Sequence, residues 1–414
     1  MSEKQIYYPH LVDQLPSSVI KIFDIFSQSN DSIRLVGGCV RDLLLEIEVS
    51  DFDFATKLLP NQILEILKEN GVKAIPTGIE FGTITAVIDG RNFEITTLRK
   101  ESETNGRHFK AEFIDDYFVD ASRRDFTINA LYLDKKGVVY DYFDGILDIQ
   151  NKKVRFIGNA EERIEEDYLR ILRFFRFSSR YASEIDEVGF LACISSKKNL
   201  SKLSRERIRS EFIKLILAPQ KYLVIEILEK MQQQLITKHL FSCEIDIDSL
   251  KEILKIEEKL GIFLNQKLKI AVLFLNTVDD WKLFFKEISA TNLEKKYFQL
   301  LKILLQDDQQ LDKKSLKRLL VFNQKELVLD YYIFRQTKEN QNTEDINSNI
   351  SFIKNFELPE FPLNGEDIKN IGYVGKDIGN AICLAKEAWI ESNFSFGKKD
   401  LLQVLSQKSG INSD

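Results

Sequence analysis

Between residues 33 and 150 the apolar positions follow two alternating periods. Short β-rich runs at 33–36, 81–88 and 93–98 alternate with helical patterns such as 61–69, and Gly71, Gly78, Gly82, Gly90 and Gly106 punctuate them. That alternation predicts a mixed α/β segment. From about residue 159 the spacing turns helical, over 161–181, 205–217, 250–260 and 293–305, with no comparable strand run. The chain therefore reads as α+β, a small N-terminal mixed sheet followed by an all-α remainder. Residues 338–349 are polar and aperiodic, and Pro359 and Pro362 interrupt the helical pattern beyond them. A linker is expected over about 338–362, with a small tail module behind it whose core includes Trp389 and Phe394. No internal repeat or low-complexity tract changes this picture.

Composition narrows the class. The 414 residues are 44% hydrophobic and 29% charged, enough for about two to four packed modules. Lys and Arg number 58 against 64 Asp and Glu, a formal balance of −6, so any nucleic-acid surface has to be local. Cys39, Cys193, Cys243 and Cys383 lie far apart without CxxC spacing, which argues against a disulfide framework or zinc knuckle and suits a reducing compartment. Glu3, Asp13 and Asp24 interrupt the first thirty residues, which show no targeting signal, and no apolar run reaches the length of a membrane span. A cytoplasmic protein without membrane contact is expected, and no protein partner is indicated.

Five stretches carry candidate chemistry. Gly37-Gly38 follows an apolar run and precedes a helix expected to begin near Val40. Such a turn lets backbone amides approach a phosphate, or serves as a plain strand-to-helix connection. Asp51-Phe52-Asp53, if extended, projects two carboxylates from one face, fit for Mg²⁺ or for solvent. Glu94 stands in an otherwise apolar β-type run, where an acid is unusual unless a cation faces it, an edge-strand charge being the alternative. Three carboxylates on neighbouring strands beside a phosphate turn would form a two-metal site for phosphoryl transfer. In Arg123-Arg124-Asp125-Phe126-Thr127-Ile128-Asn129, read as a helix start, Asp125 and Asn129 share a face and the arginines precede it, placed for a triphosphate or for the surface. Finally, Asp167, Arg170 and Arg173 fall near one face if 161–181 is one helix. An acceptor beside a donor complements the Watson–Crick edges of cytosine and adenine and clashes with uracil and guanine, though an ordinary helix ion pair has the same spacing.

Taken together, Gly37-Gly38-x-Val40-Arg41-Asp42, Asp51-x-Asp53, Arg123-Arg124-Asp125-Phe126-Thr127-x-Asn129-Ala130, Glu166-Asp167-x-x-Arg170-x-x-Arg173 and Leu203-Ser204-x-Glu206-Arg207-Ile208 resemble the class II tRNA nucleotidyltransferases, the CCA-adding enzymes of the polymerase β superfamily. The resemblance is close over about residues 33–218, looser around 363–368, and nearest in flavour to alphaproteobacterial and mitochondrial-type members. It implies a polymerase-β-like nucleotidyltransferase head over 1–150, a helical neck over 151–218 for base recognition, and a body over 219–350 and tail over 351–414 that hold the tRNA acceptor arm. Carried over by motif, Asp51 and Asp53 bind two Mg²⁺ ions, with Glu94 a third carboxylate. Gly37 and Gly38 form the phosphate turn, Arg41 and Arg124 hold the triphosphate, and Asp125 and Asn129 complete that wall. Asp167 and Arg170 read CTP or ATP, supported by Arg173 and Arg176.

The implied function is template-independent addition of C, C and A to tRNA 3′ ends, with release of pyrophosphate. An A-adding or poly(A) polymerase shares the motifs, and a catalytically inactive RNA-binding protein is the rival from another class. Residues 99–113 fall where the family has a loop needed to switch from C to A addition. The basic segment 201–214, with a net charge of +3, and Gly372, Gly375 and Gly379 with Lys369 and Lys376 are candidate tRNA contacts, or a solvated face and plain helix turns. Cys39, Tyr142 and the acidic Glu46 and Glu48 depart from the common pattern without removing a needed group. His10, His108 and His239 are isolated, so a His-Asp phosphohydrolase activity is not expected.

Overall fold

The computed structural model describes residues 3–27, 33–102, 110–306, 311–337 and 343–409, and the chain divides into two compact units, Met1–Ser242 and Cys243–Asp414. The tip of the expected switching loop, with Asn105, Gly106, Arg107 and His108, lies outside the described residues.

The first unit is built on a mixed sheet. Its strands are β1 (Lys4–Tyr7), β2 (Arg34–Val36), β3 (Asp53–Thr56), β4 (Lys73–Gly78), β5 (Thr83–Ile88) and β6 (Arg91–Thr97), with β9 (Leu131–Leu133) and β10 (Val138–Asp141). The strands β7 (Arg99–Ser102) and β8 (Lys110–Phe113) form a separate antiparallel pair. The order in the large sheet is β1-β10-β9-β2-β3-β6-β5-β4, and every pair is antiparallel except β3 with β6. Period-two alternation sorts the side chains. Phe54 and Ile95 enter one core with Phe23, Val40, Ile63 and Leu67, where the helices Ser17–Phe26 and Pro60–Glu69 cover the sheet. Val36, Ala55 and Tyr132 face a second core with Leu98, Tyr117 and Tyr142. Neighbours in register point the same way, so Asp53 and its β6 partner Glu94 both stand on the face opposite Phe54.

Beyond the sheet the unit is helical, with Ala160–Glu166, Leu169–Tyr181, Glu187–Ser196, Arg205–Ile216 and Lys221–Gln233. An aromatic cluster joins the segments around residues 126 and 156, which meet in an isolated bridge, to the helix. Phe126 lies 4.9 Å from Phe156 and 5.3 Å from Phe177, and Phe156 stacks on Phe174 at 5.4 Å. Aromatic burial of this kind carries most of the apolar area at a contact, so the Leu169–Tyr181 helix is seated against these two segments.

Five local expectations are corrected. The 161–181 periodicity is two helices, because Asp167 breaks the chain with extended backbone and its Oδ1 accepts the Leu169 amide at 3.1 Å, as helix caps do. Residues 123–130 do not open a helix: a helix ends at Ser122, and only the 3₁₀ turn Thr127–Asn129 follows. Strand β3 begins at Asp53, leaving Asp51 in the preceding coil, and the first phosphate-turn helix begins at Gly38 rather than near Val40. The expected linker contains the helix Thr343–Asn355, whose buried Ile346, Ile350 and Ile353 form one apolar stripe hidden among Asn and Ser.

The second unit is helical among its described residues. Its tail core gathers Leu363, Ile368, Trp389, Leu401 and Leu405, with Phe394 packed against it. No described helix is long and apolar enough to cross a membrane.

Gly145 marks how tightly the first unit is packed around Thr127: an added Cβ would lie 2.3 Å from the Thr127 carbonyl oxygen. Gly145→Ala is expected to destabilise the first unit by about 2–3 kcal/mol through overpacking against rigid backbone. Denaturant unfolding followed by tyrosine fluorescence checks this, and an unchanged midpoint would contradict it.

Candidate active site

Strand β2 delivers the chain to Gly37, whose φ of 78° only glycine adopts without strain, and the helix Gly38–Leu44 begins at once. The site of an added Gly37 Cβ lies 3.3 Å from Arg124 Nη1, so the glycine also lets that guanidinium lie against the turn. Arg41, one turn into the helix and 5% exposed, donates Nη1 to Asn129 Oδ1 and Nε to Asp42 Oδ1 at 2.8 Å. Tyr181 reaches across from the Leu169–Tyr181 helix, its ring centroid 4.1 Å from the Arg41 guanidinium and its hydroxyl donating to Asp42 at 3.1 Å.

Asp125 ties this wall to the same helix. Its Oδ1 accepts from Asn129 Nδ2 at 3.1 Å and its Oδ2 from Arg173 Nε at 2.7 Å. Burial works against its charge, but Arg173 and the Asn129 amide hold its carboxyl below the usual carboxylate range. Asp125 and Asn129 therefore do meet, although through a turn rather than along a helix. Arg176 pairs with Glu211 of the Arg205–Ile216 helix at 2.6 Å.

A cleft of about 580 Å³ opens between these walls, with seven arginines and five carboxylates among its lining residues. It brings together Gly37, Gly38, Arg41, Asp53, Arg124, Asp125, Asn129, Asp167, Arg170, Arg173 and Arg176. A second hollow, of about 1080 Å³, holds Asp51 in its lining, and Glu48 and Ser50 border both spaces. Asp53 stands at the solvent-open mouth, yet the surrounding protein and the charges of Glu94 and Asp51 push its carboxyl up to about 6, against the pull of Arg124. Among the described residues no three His, Cys, Asp or Glu groups converge into a cage for a metal ion. Glu94, the register partner of Asp53 on β6, stands beside it.

Asp167 and Arg170, expected to read the base, do not pair with each other. Asp167 Oδ2 accepts from Arg207 Nη2 at 2.7 Å, and Arg170 is engaged elsewhere. Arg170 donates Nη1 to the Arg163 carbonyl at 2.7 Å and to Glu166, and Nη2 to the Arg123 carbonyl at 3.0 Å. The expected single helix face fails because Asp167 caps the helix that carries Arg170.

Asp120, Tyr181 and Glu211 escaped the sequence reading. Asp120 is 1% exposed on the helix Tyr117–Ser122, and its carboxylate pairs with both Arg123 and Arg124. Its i+3 and i+4 spacing to the two arginines was the available signal. Tyr181 and Glu211 carry no such local mark.

Asp53 and Glu94 on neighbouring strands, the Gly37-Gly38 turn and an arginine-lined cleft are the features expected of a class of protein, the nucleotidyltransferases. Residues 33–155 match the model of the poly A polymerase head domain. The mitochondrial CCA tRNA nucleotidyltransferase 1 of Danio rerio is 31% identical, over 94% of this chain and 90% of its own. A CCA-adding enzyme of Lactobacillus delbrueckii is 40% identical over 48% of this chain and 52% of its own. The crystal structure of the Bacillus stearothermophilus CCA-adding enzyme in complex with CTP shares the fold, with a TM-score of 0.77 at 22% identity over 95% of this chain and 97% of that one. The chain belongs to the class II CCA-adding tRNA nucleotidyltransferase family and is an enzyme of that kind.

Folding raises the Asp53 pKa, so ionising this carboxyl opposes folding between about pH 4, where an unfolded aspartate titrates, and about pH 6. Asp53→Asn is therefore expected to melt about 1–2 °C above the unmodified chain at pH 8 without divalent metal, the gap closing by pH 4. A lower melting temperature at pH 8 would contradict the like-charge cluster.

Proposed function

We propose that this chain adds C, C and A to the 3′ end of tRNA, without a template, from CTP and ATP, releasing pyrophosphate. The observation that carries the reading is Asp53, crowded by Glu94 and Asp51 and facing Arg124 across the nucleotide-sized cleft. Carboxylate oxygens of like charge, open on one side, fit Mg²⁺, which keeps part of its shell for water and phosphate. Asp51 and Asp53 would hold two such ions, with Glu94 beside them. Bound there, Mg²⁺ would supply positive charge at the α-phosphate and ease ionisation of the attacking hydroxyl.

The protein's part is binding and orientation. Amides at the Gly37-Gly38 turn, Arg41 and Arg124 take the triphosphate, and their fixed charge stabilises the charge that builds on the departing pyrophosphate. Asp167 and Arg170 select the base, an amino group of cytosine or adenine replacing Arg207 at Asp167. Arg173 and Arg176 support this wall through Asp125 and Glu211. Because Asp51 and Asp53 border different hollows, the acceptor 3′ hydroxyl is assigned to the Asp51 side, in line with a leaving group on the Arg124 side. The hydroxyl oxygen bonds to the α-phosphorus, the bond to the β-phosphate oxygen breaks, and the hydroxyl proton passes to solvent.

The acceptor arm is assigned to the neck, body and tail, over 151–218, 219–350 and 351–414. Cysteine spacing supports a cytoplasmic setting, while the Danio rerio relative is named mitochondrial. The A-adding and poly(A) alternatives use the same site and differ in product.

A gel assay tests the reading: tRNA lacking its last three nucleotides should grow by two with CTP and by three with CTP and ATP, then stop. Addition of A alone, or long A tails, would move the chain to another branch of the family. Asp51→Ala or Asp53→Ala should cut incorporation about a thousandfold or more with tRNA affinity retained. Asp167→Ala should raise the relative use of UTP and GTP, and unchanged selectivity would reduce Asp167 to an ion-pair residue.

A further inference from the structure

We propose that Asp120 is a positioning residue that aims two substrate-facing arginines at once, Arg124 at the triphosphate and Arg170 at the base, from a place where it touches neither. The inference rests on reading the cleft as a nucleotide site. Asp120 sits on the helix Tyr117–Ser122, and its carboxylate is sealed from solvent. Oδ1 accepts from Arg123 Nε at 2.9 Å and Nη2 at 2.7 Å. Oδ2 accepts from Arg124 Nη2 at 3.0 Å and from the Tyr132 hydroxyl at 2.7 Å. One anion thus serves two guanidinium groups and a phenol, and every one of those bonds is directional.

The two arginines lead in different directions. Arg124, held through Nη2, lies with Nη1 against Gly37, at the phosphate turn. Arg123 is held by its side chain, which fixes its main chain, and its carbonyl accepts Arg170 Nη2 at 3.0 Å. The neighbouring Ser122 carbonyl takes Arg163 Nη1 at 3.0 Å, and the Arg163 carbonyl in turn accepts Arg170 Nη1. The segment 122–124 is therefore the ledge on which Arg170 rests, and Asp120 clamps that ledge from below. Both guanidinium groups keep Asp120 ionised, with its carboxyl far below the usual range despite burial. Without its charge, Arg123 and Arg124 would lose their shared anion and repel each other, swinging Arg124 off the phosphate turn and loosening the ledge.

A residue that only holds the fold together would weaken all substrates alike. A positioning residue weakens nucleotide and leaves the tRNA surface intact. Asp120→Asn keeps the size and removes the charge. The expected result is KM for CTP and ATP raised about tenfold, KM for the shortened tRNA within about twofold of the unmodified enzyme, and discrimination of CTP over UTP reduced several-fold. Calorimetry with inorganic tripolyphosphate, in the full chain with Mg²⁺, should show a matching loss of about tenfold. Tyr132→Phe removes one donor and keeps the charge, so it should shift nucleotide KM in the same direction by about two- to threefold. Folded Asp120→Asn with unchanged nucleotide KM, or with equal losses for nucleotide and tRNA, would overturn the proposal. If Asp120→Asn does not fold, an unchanged nucleotide KM in Tyr132→Phe would overturn it. Tripolyphosphate binding that depends on Asp120 in a chain that adds no nucleotide to tRNA would support the positioning role and refute the transferase reading instead.

Discussion

Asp125 is the buried carboxylate on which the site's architecture depends. It accepts from Asn129, which in turn accepts from Arg41 at the phosphate turn, and it accepts from Arg173 on the Leu169–Tyr181 helix. Asp125 thereby joins the sheet-borne wall to the helical wall of the cleft, and Tyr181 reinforces the joint through Asp42 and Arg41. A buried charge is tolerated only when it is paired and hydrogen-bonded, and here both oxygens are occupied. Phe126, the next residue, adds the apolar half of the same joint by packing against Phe156 and Phe177. Polar registration and aromatic burial act at adjacent positions, so this short segment is held on both sides by packed partners.

The cleft concentrates charges of both signs, and the described structure shows how each is kept in place before substrate arrives. Arg41 rests on Asn129, Asp42 and the Tyr181 ring, Arg170 on backbone carbonyls, and Asp167 on Arg207. The carboxylate side is less settled: Asp53 is pushed up to about 6 because burial and its like-charged neighbours outweigh Arg124. Such crowding of like charges costs stability, as functional sites commonly do. A chain with a net charge of −6 thus handles a polyanionic substrate through local arrangement alone.

Much of this site was legible because its signals are short-range. The isolated acid in the apolar run marked Glu94, and the Gly37-Gly38 pair marked the turn; the structure adds the register that makes Glu94 the neighbour of Asp53, and leaves Asp51, expected on the same strand face, in the preceding coil. The helix break at Asp167 was hidden by unbroken apolar spacing across 161–181, although a capping Asp was present in the sequence. The contact of Arg170 with the Arg123 carbonyl, 47 residues away, leaves no local mark, whereas its pairing with Glu166 follows i, i+4 spacing. Asp120 shows the converse difficulty: its spacing to Arg123 and Arg124 is visible, but its burial, which turns an ordinary helix pair into a hub, is tertiary. Strand β1, four residues long at the sheet edge, and the Thr343–Asn355 helix, polar on most of its surface, carry too little local pattern to be distinguished from loop.

A crystal structure of the chain with CTP and Mg²⁺ would show whether one nucleotide spans the cleft from the carboxylates to Asp167. The expected result is metal on Asp51 and Asp53, the triphosphate against Gly38, Arg41 and Arg124, and the cytosine amino group on Asp167 in place of Arg207. A triphosphate bound elsewhere, with the Asp167–Arg207 pair intact, would rule that arrangement out.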